Sequence, residues 1–334
     1  MKNVNKTPIW FMRQAGRYLP EYRKIRSLNK NFLDLCLNPS LSAEISLQPI
    51  ERFDLDFIIL FSDILVIPFA LGQDVSFMKN HGPLLPPISS IKELKYRNLK
   101  ANINKISNVF ETLRILNTNK KEKKLIGFCG GPFTVLNYMI EGGSSKDHKK
   151  IKTFVSHEKK KALELIKVLT EISIEYLKRQ VDSGADYLQI FESWAGLLQN
   201  EDYENFIVKP NQEISSELKK YSTKIQIIHF PRGSKNNYNL FLENVLCDVI
   251  SLDLNFPEEI ISKVKKKEIV IQGNLDPLVL LKGGEKLEEK IVEVLEKFKN
   301  NNHIFNLSHG ILPGTKIQNV EKLIQIVRNY DAAK

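Results

Sequence analysis

Arg13 and Arg17 stand four residues apart in PIWFMRQAGRYLPEYRKIR, Pro8 to Arg26, directly after an apolar run. A guanidinium presents a planar fork of donors that grips a carboxylate or phosphate through two bonds, which a lysine cannot do. Gly16 between them would let the backbone approach a ligand closely. Two surface arginines pairing with Glu21 or another nearby acid is the plainer reading. Further along, polar residues close one apolar run after another: Asp63; Gly130, Gly131 and then Tyr138; Ser193; Arg232; Asp253; Asn274 and Asp276; His309. Asp63 reads as a partly desolvated carboxylate or as a cap for the next segment. Tyr138 also reads as a core tyrosine, and Ser193 as a cap. His309, between Ser308 and Gly310, suits anion binding, proton transfer or a structural hydrogen bond.

What this set lacks narrows its chemistry. Ser193 has no G-x-S-x-G elbow and no spacing ties it to His309. The 6 histidines are scattered, without an i+4 partner or an adjacent cysteine, so no zinc pattern appears. Cys36, Cys129 and Cys247 are far apart and form no C-x-x-C pair, which argues against a disulfide framework. GFCGGPF, Gly127 to Phe133, matches neither nucleotide-binding glycine motif. Anion binding, one or two carboxylates and proton transfer remain.

Those residues need elements to position them. Eight strand-like runs recur: Pro8 to Gln14, Phe57 to Asp63, Lys124 to Gly131, Asp186 to Ser193, Ile225 to Phe230, Asp248 to Leu254, Glu268 to Asp276 and His303 to Gly310. Several are near-continuous Val, Ile, Leu and Phe, as parallel strands buried on both faces require. Helical periodicity falls between them, over Asn38 to Phe53, His157 to Ala185 and Glu285 to Asn301. Strands alternating with helices imply parallel βαβ units. Eight units predict an α/β fold, a single (β/α)8 TIM barrel over residues 1–334, with its site at the C-terminal ends of the strands. A doubly wound open sheet is the alternative, and it lacks its usual glycine-rich turn.

At 334 residues, 42% hydrophobic and 26% charged, the chain has ordinary globular composition. No run approaches the roughly 18 apolar residues that span a bilayer. MKNVNKTPIW carries no apolar leader, so a cytoplasmic protein without membrane attachment is expected. The net charge of +10 invites a nucleic-acid reading, yet only 10 of the 49 basic residues are arginine. Lysines come in runs with glutamate (Lys120 to Lys124, Lys146 to Lys152, His157 to Lys161, Lys263 to Glu268), the pattern of solvated helix faces. No nucleic-acid partner is expected; the lysine excess is either a compositional bias or a positive field able to steer a polyanionic substrate.

PIWFMRQAGRYLPEYR and GFCGGPFTVLNYMIEGG resemble the two signatures of the uroporphyrinogen decarboxylase family. FSDIL, FESWAG, HFPRG, IQGNLDP and HIFNLSHGILPGT follow in the family's order, so the resemblance covers essentially the whole chain. It implies a single-domain (β/α)8 barrel, a homodimer, and loss of carbon dioxide from the four acetates of a tetrapyrrole polycarboxylate, uroporphyrinogen III. It also implies that no cofactor or metal takes part. Carried over by motif, Arg13 and Arg17 would hold substrate carboxylates, with Gln14, Ala15 and Gly16 forming the loop between them. Asp63 matches the carboxylate that accepts from the pyrrole N–H groups and stabilises the cationic intermediate, and Arg13 is the family's suspected proton donor. Tyr138, Ser193 and His309 match further substrate contacts, and Arg26 sits where another basic contact is plausible. Zinc-dependent methyltransferases on the same barrel carry His-x-Cys where this chain reads His229-Phe230-Pro231, and no cysteine follows Cys247. KNHGP, Lys79 to Pro83, and Ser308 depart from the usual decarboxylase pattern.

Overall fold

Apolar runs without polar alternation become parallel strands covered on both faces. A computed structural model describes residues 6–78, 82–96 and 98–332. Its strands are β1 (Phe57–Ile59), β2 (Ser76–Met78), β3 (Gly82–Leu84), β4 (Lys124–Gly130), β5 (Tyr187–Glu192), β6 (Gln226–Pro231), β7 (Val249–Ser251), β8 (Val270–Leu275) and β9 (His303–Leu307). Seven form one parallel sheet in the order β1-β4-β5-β6-β7-β8-β9. Each step between neighbours passes through helix, as parallel pairing demands. All the strand C-termini therefore open toward one end, where the polar residues of the sequence motifs collect.

The expected strand over Pro8 to Gln14 shrinks to a single parallel bridge, Ile9 to Phe305. Phe305 N donates to Pro8 O at 2.8 Å, Trp10 N to Phe305 O at 3.3 Å, and Asp56 N to Ile9 O at 2.9 Å. The chain then turns at Met12–Arg13, where Arg13 takes a left-handed backbone with φ 60°, and its residues leave the sheet for the mouth. The helix expected over His157 to Ala185 is observed as one helix, Lys159–Asp182, preceded by a separate helix, Lys149–His157. Glu158 leaves helical geometry with φ −124°, beside His157, whose Nδ1 lies 3.1 Å from the Thr153 carbonyl and competes for an acceptor the helix would use. The helix Pro39–Arg52 starts as its sequence predicts: Asn38 Oδ1 accepts from Leu41 N at 3.1 Å. Within the low-periodicity stretch Ser76 to Ser90, β2 and β3 pair as an antiparallel hairpin. Lys79 to His81 of KNHGP lie outside the described residues.

One buried layer ties the segments together. Trp10 Nε1 donates to Gln272 Oε1 at 2.9 Å, and Gln272 Nε2 donates to Gln189 Oε1 and Ser251 Oγ at 3.1 and 3.2 Å. All four side chains are fully buried, where most polar groups are hydrogen-bonded; Gln189 Nε2 finds no partner among the described residues. The lysine runs meet acids at the surface, as in Lys161–Glu158 at 2.9 Å and Lys159–Asp202 at 3.0 Å. Among the described residues, no helix is long and apolar enough to cross a membrane.

Candidate active site

The arginine-bearing strap is held by its own glutamine. Gln14 is fully buried; its Oε1 accepts from Phe11 N at 3.1 Å and its Nε2 donates to Phe57 O at 3.0 Å. Its carbonyl accepts from the Tyr18 hydroxyl at 2.9 Å. Ile311 N donates to Met12 O at 2.9 Å, docking the strap on the loop after β9. Gly16 serves this turn rather than an open approach, since a Cβ there would lie 2.9 Å from Arg13 O. Ala15 packs half-buried against the apolar cluster below. Arg13 and Arg17 remain exposed. Glu21, the acid the plainer reading would pair with them, is gripped through both oxygens by Arg52 at 2.8 and 3.0 Å.

The other two arginines of the segment act as braces. Arg23 Nη1 donates to the carbonyls of Arg17 and Tyr18, both at 2.9 Å. Arg26 Nη1 donates to the carbonyls of Asn29 and Lys30 beyond the helix Pro20–Leu28, and its guanidinium lies 5.6 Å over the Phe32 ring. Arg26 thus closes the end of its helix, and Gln14 holds the strap in place.

Asp63 follows β1, whose end is stitched to the helix Pro39–Arg52 by Ser42 Oγ to Phe61 O and Phe61 N to Ser46 Oγ, both at 2.8 Å. Its Oδ1 accepts from Leu65 N at 2.8 Å, so the capping reading holds for one oxygen. Burial pushes the carboxyl up to about 6, opposed by that backbone bond and by the charge of Arg13. Tyr138 projects from the helix Pro132–Glu141, and burial, then the negative charge of Asp63, raise its phenol.

A cleft of about 470 Å³ opens at the ends of β5 to β9, lined in part by Ser193, Trp194, Arg232, Asp253, Asp276 and His309. That volume lies within the range of small-molecule sites. Its two acids are engaged with backbone: Asp253 accepts from Gly233 N at 2.5 Å and Asn255 N at 2.8 Å, and Asp276 from Leu278 N at 2.8 Å. His309 Nδ1 accepts from Gly310 N at 2.6 Å, which assigns the ring proton to Nε2. Burial, then the charges of Arg13 and Arg232, push this imidazole down to about 4. At neutral pH it is an uncharged hydrogen-bond donor. Arg13 links the two sides of the mouth, because its charge acts on Asp63, Tyr138 and His309 alike.

The uroporphyrinogen decarboxylase family model matches residues 1–330. The chain belongs to the uroporphyrinogen decarboxylase family. It is 44% identical over 335 residues to a uroporphyrinogen decarboxylase of Rickettsia africae, covering 98% of this chain and 95% of the relative. A Rickettsia akari protein of the same name is 42% identical over 330 residues, covering 98% and 97%. Among solved structures, a methyltransferase from Methanosarcina mazei superposes with a TM-score of 0.73 at 18% identity, covering 98% of this chain and 94% of that one. This likeness shows a shared fold. His229 is fully buried with Nε2 2.7 Å from Ser215 Oγ.

In this family member the motif FESWAG carries a residue that the sequence reading passed over. Glu192 is buried at the end of β5, one position before Ser193. Its Oε1 accepts from Thr134 N and Oγ1 at 2.7 and 2.5 Å, and its Oε2 from Asn211 Nδ2 at 3.4 Å. Burial pushes this carboxyl up to about 7, against those hydrogen bonds. It joins β5 to the helix that carries Tyr138. The available signal was a glutamate closing an apolar strand, a placement costly enough to need partners.

Proposed function

We propose that this protein removes carbon dioxide from the four acetate side chains of uroporphyrinogen III, giving coproporphyrinogen III, and does so with its own side chains and no cofactor. Protonation of a pyrrole ring carbon gives an iminium-type cation. The bond between the acetate methylene and its carboxylate then breaks, and its electrons flow into the ring as carbon dioxide leaves. Protonation of the exposed methylene and loss of the ring proton complete the step, so each acetate consumes one proton and releases one carbon dioxide.

Asp63 stabilises the cation. Its charge is set in place before reaction on a half-buried side chain, where preorganised electrostatics acts more strongly than in open solvent. Its Oδ2 is the oxygen left to accept from pyrrole N–H groups. Arg13 and Arg17 hold carboxylates, and Tyr138, Ser193 and His309 complete the contacts. Arg13 is a poor acid, because a guanidinium keeps its proton far above neutral pH. His309, neutral at working pH, is equally ill suited, so proton delivery falls to a substrate carboxyl or a water molecule.

The observation that carries this reading is a half-buried carboxylate, Asp63, set in a mouth whose Arg13 and Arg232 charges also reach His309. That arrangement fits a ring bearing many carboxylates and developing positive charge at its centre. Incubation with uroporphyrinogen III in the dark under reductant tests it. Stepwise loss of four carboxyls is expected, and recovery of unchanged substrate would overturn it.

Residues 1–334 are proposed to form one domain, a closed (β/α)8 barrel with Pro8–Trp10 as its eighth stave. The hydrogen bonds from Phe305 N to Pro8 O and from Asp56 N to Ile9 O support closure, because they bridge the two ends of the sheet. The layer of Trp10, Gln189, Ser251 and Gln272 supports it too, as barrel interiors are filled by residues from alternate strands. The family resemblance supports a cytoplasmic homodimer, which light scattering on the purified protein would test.

A further inference from the structure

Arg232 lay on the roll of strand-end residues, but the family motifs assign it no role. It is half-buried at the end of β6, lines the same cleft as Ser193 and His309, and stands apart from the strap that carries Arg13. Its guanidinium makes no hydrogen bond or ion pair among the described residues. The nearest acids of the cleft are committed elsewhere, as Asp253 and Asp276 hold loop N–H groups.

Its backbone, in contrast, is pinned from three sides. Arg232 N donates to Glu192 O at 3.1 Å and to Phe230 O at 3.0 Å, and Arg232 O accepts from Gly196 N at 3.1 Å. Gly233 follows with φ 79°, and a Cβ on Gly196 would lie 2.4 Å from Gly233 O. Two glycines in contact thus lock the loops after β5 and β6 together. A long cationic side chain on so rigid a base, without a protein partner, is prepared for an anion from outside.

We propose that Arg232 binds a carboxylate of the substrate, on a side chain remote from the acetate being cleaved, as a second grip beside that of Arg13. This rests on the decarboxylase reading above. A grip on a non-reacting group is formed equally in the ground and transition states, so its loss raises KM and leaves kcat nearly unchanged. The side chain also sets the protonation of His309, because its charge opposes a proton on that imidazole.

The test compares Arg232→Gln and Arg232→Lys with wild type, reading KM and kcat for uroporphyrinogen III and following the His309 imidazole by NMR titration. For Arg232→Gln a rise in KM of about 10- to 100-fold is expected, the value of a charge-assisted hydrogen bond, with kcat within about twofold. His309 should titrate at higher pH in that variant. Arg232→Lys, which keeps the charge without the fork, should recover the His309 titration and only part of KM. An unchanged KM in Arg232→Gln, with or without a shift in His309, overturns the proposal, as does a fall in kcat with KM unchanged. Absence of wild-type turnover would instead overturn the decarboxylase reading itself.

Discussion

Asp63→Asn should make the protein more stable and nearly inactive. Asparagine keeps an Oδ1 able to accept from Leu65 N, now bonded at 2.8 Å, so the local turn survives and only the charge is lost. The native carboxyl is raised from 3.8 to about 6. A difference of about 2 at about 1.4 kcal/mol each comes to ~3 kcal/mol of charge burial that the folded state carries at high pH. A group with a raised folded pKa gives stability that is intact below the unfolded value and lost as pH rises through the folded one. The wild type should therefore lose stability between about pH 4 and pH 6 through this residue, and the variant should not. At pH 8 the variant should be about 3 kcal/mol more stable, and at pH 5 about half that. An unfolding entropy of about 2.1 cal/mol/K per residue gives roughly 0.7 kcal/mol/K for the chain, so Tm should rise by about 4 °C at pH 8. Calorimetry at pH 5 and pH 8, with turnover measured on the same samples, checks both halves. Turnover should fall at least ~100- to 1,000-fold, the effect of removing one preorganised charge-stabilising group. A variant no more stable than wild type at pH 8, or a gap that does not narrow toward pH 5, refutes the burial argument. Near-native turnover refutes the catalytic one.

Other outcomes follow from the same geometry. In wild type, kcat/KM should fall on the acid side with a midpoint near 6 as Asp63 takes up its proton, since His309, at about 4, titrates well below; a Glu192→Gln variant that abolishes the limb would assign it to Glu192 instead. Gly310→Ala places a Cβ 2.4 Å from Arg13 Cδ, so the guanidinium should be displaced, with kcat/KM down ~10-fold or more and Tm little changed; unaltered kinetics would show that Arg13 holds nothing. Arg23→Met removes two bonds to the strap carbonyls of Arg17 and Tyr18 and should raise KM without altering the acid limb, whereas wild-type KM would show that the strap needs no brace.

The strand order and the mouth were legible because both follow from local rules. Near-continuous apolar runs such as Lys124–Gly130 announce buried strands, and a polar residue at the end of each marks the active end. A boundary failed where the backbone turns early: the strand expected over Pro8 to Gln14 leaves the sheet after one bridge, as Arg13 takes a left-handed φ. Residue types showed which groups can grip an anion, but not which are already engaged. Gln14, Asp253 and Asp276 look like binding groups in sequence and prove to be held by backbone. Arg232 reads in sequence as one strand-end residue among several and proves to lack a partner among the described residues.

The arginines of Pro8 to Arg26 show why that distinction needs coordinates. Four guanidinium groups stand within the first 26 residues of a chain that holds only 10, and one chemical property serves two opposite ends. A rigid fork with several donors can bind an oxygen-rich ligand or span neighbouring carbonyls. Arg23 and Arg26 take the second course, each meeting two backbone oxygens. Among the described residues Arg13 and Arg17 stay uncommitted, because the strap that carries them is satisfied by Gln14, Tyr18 and Arg23. A lysine could replace neither pair without loss, since its single ammonium offers no planar fork. The two braces therefore constrain the composition of this segment as tightly as its two exposed arginines do.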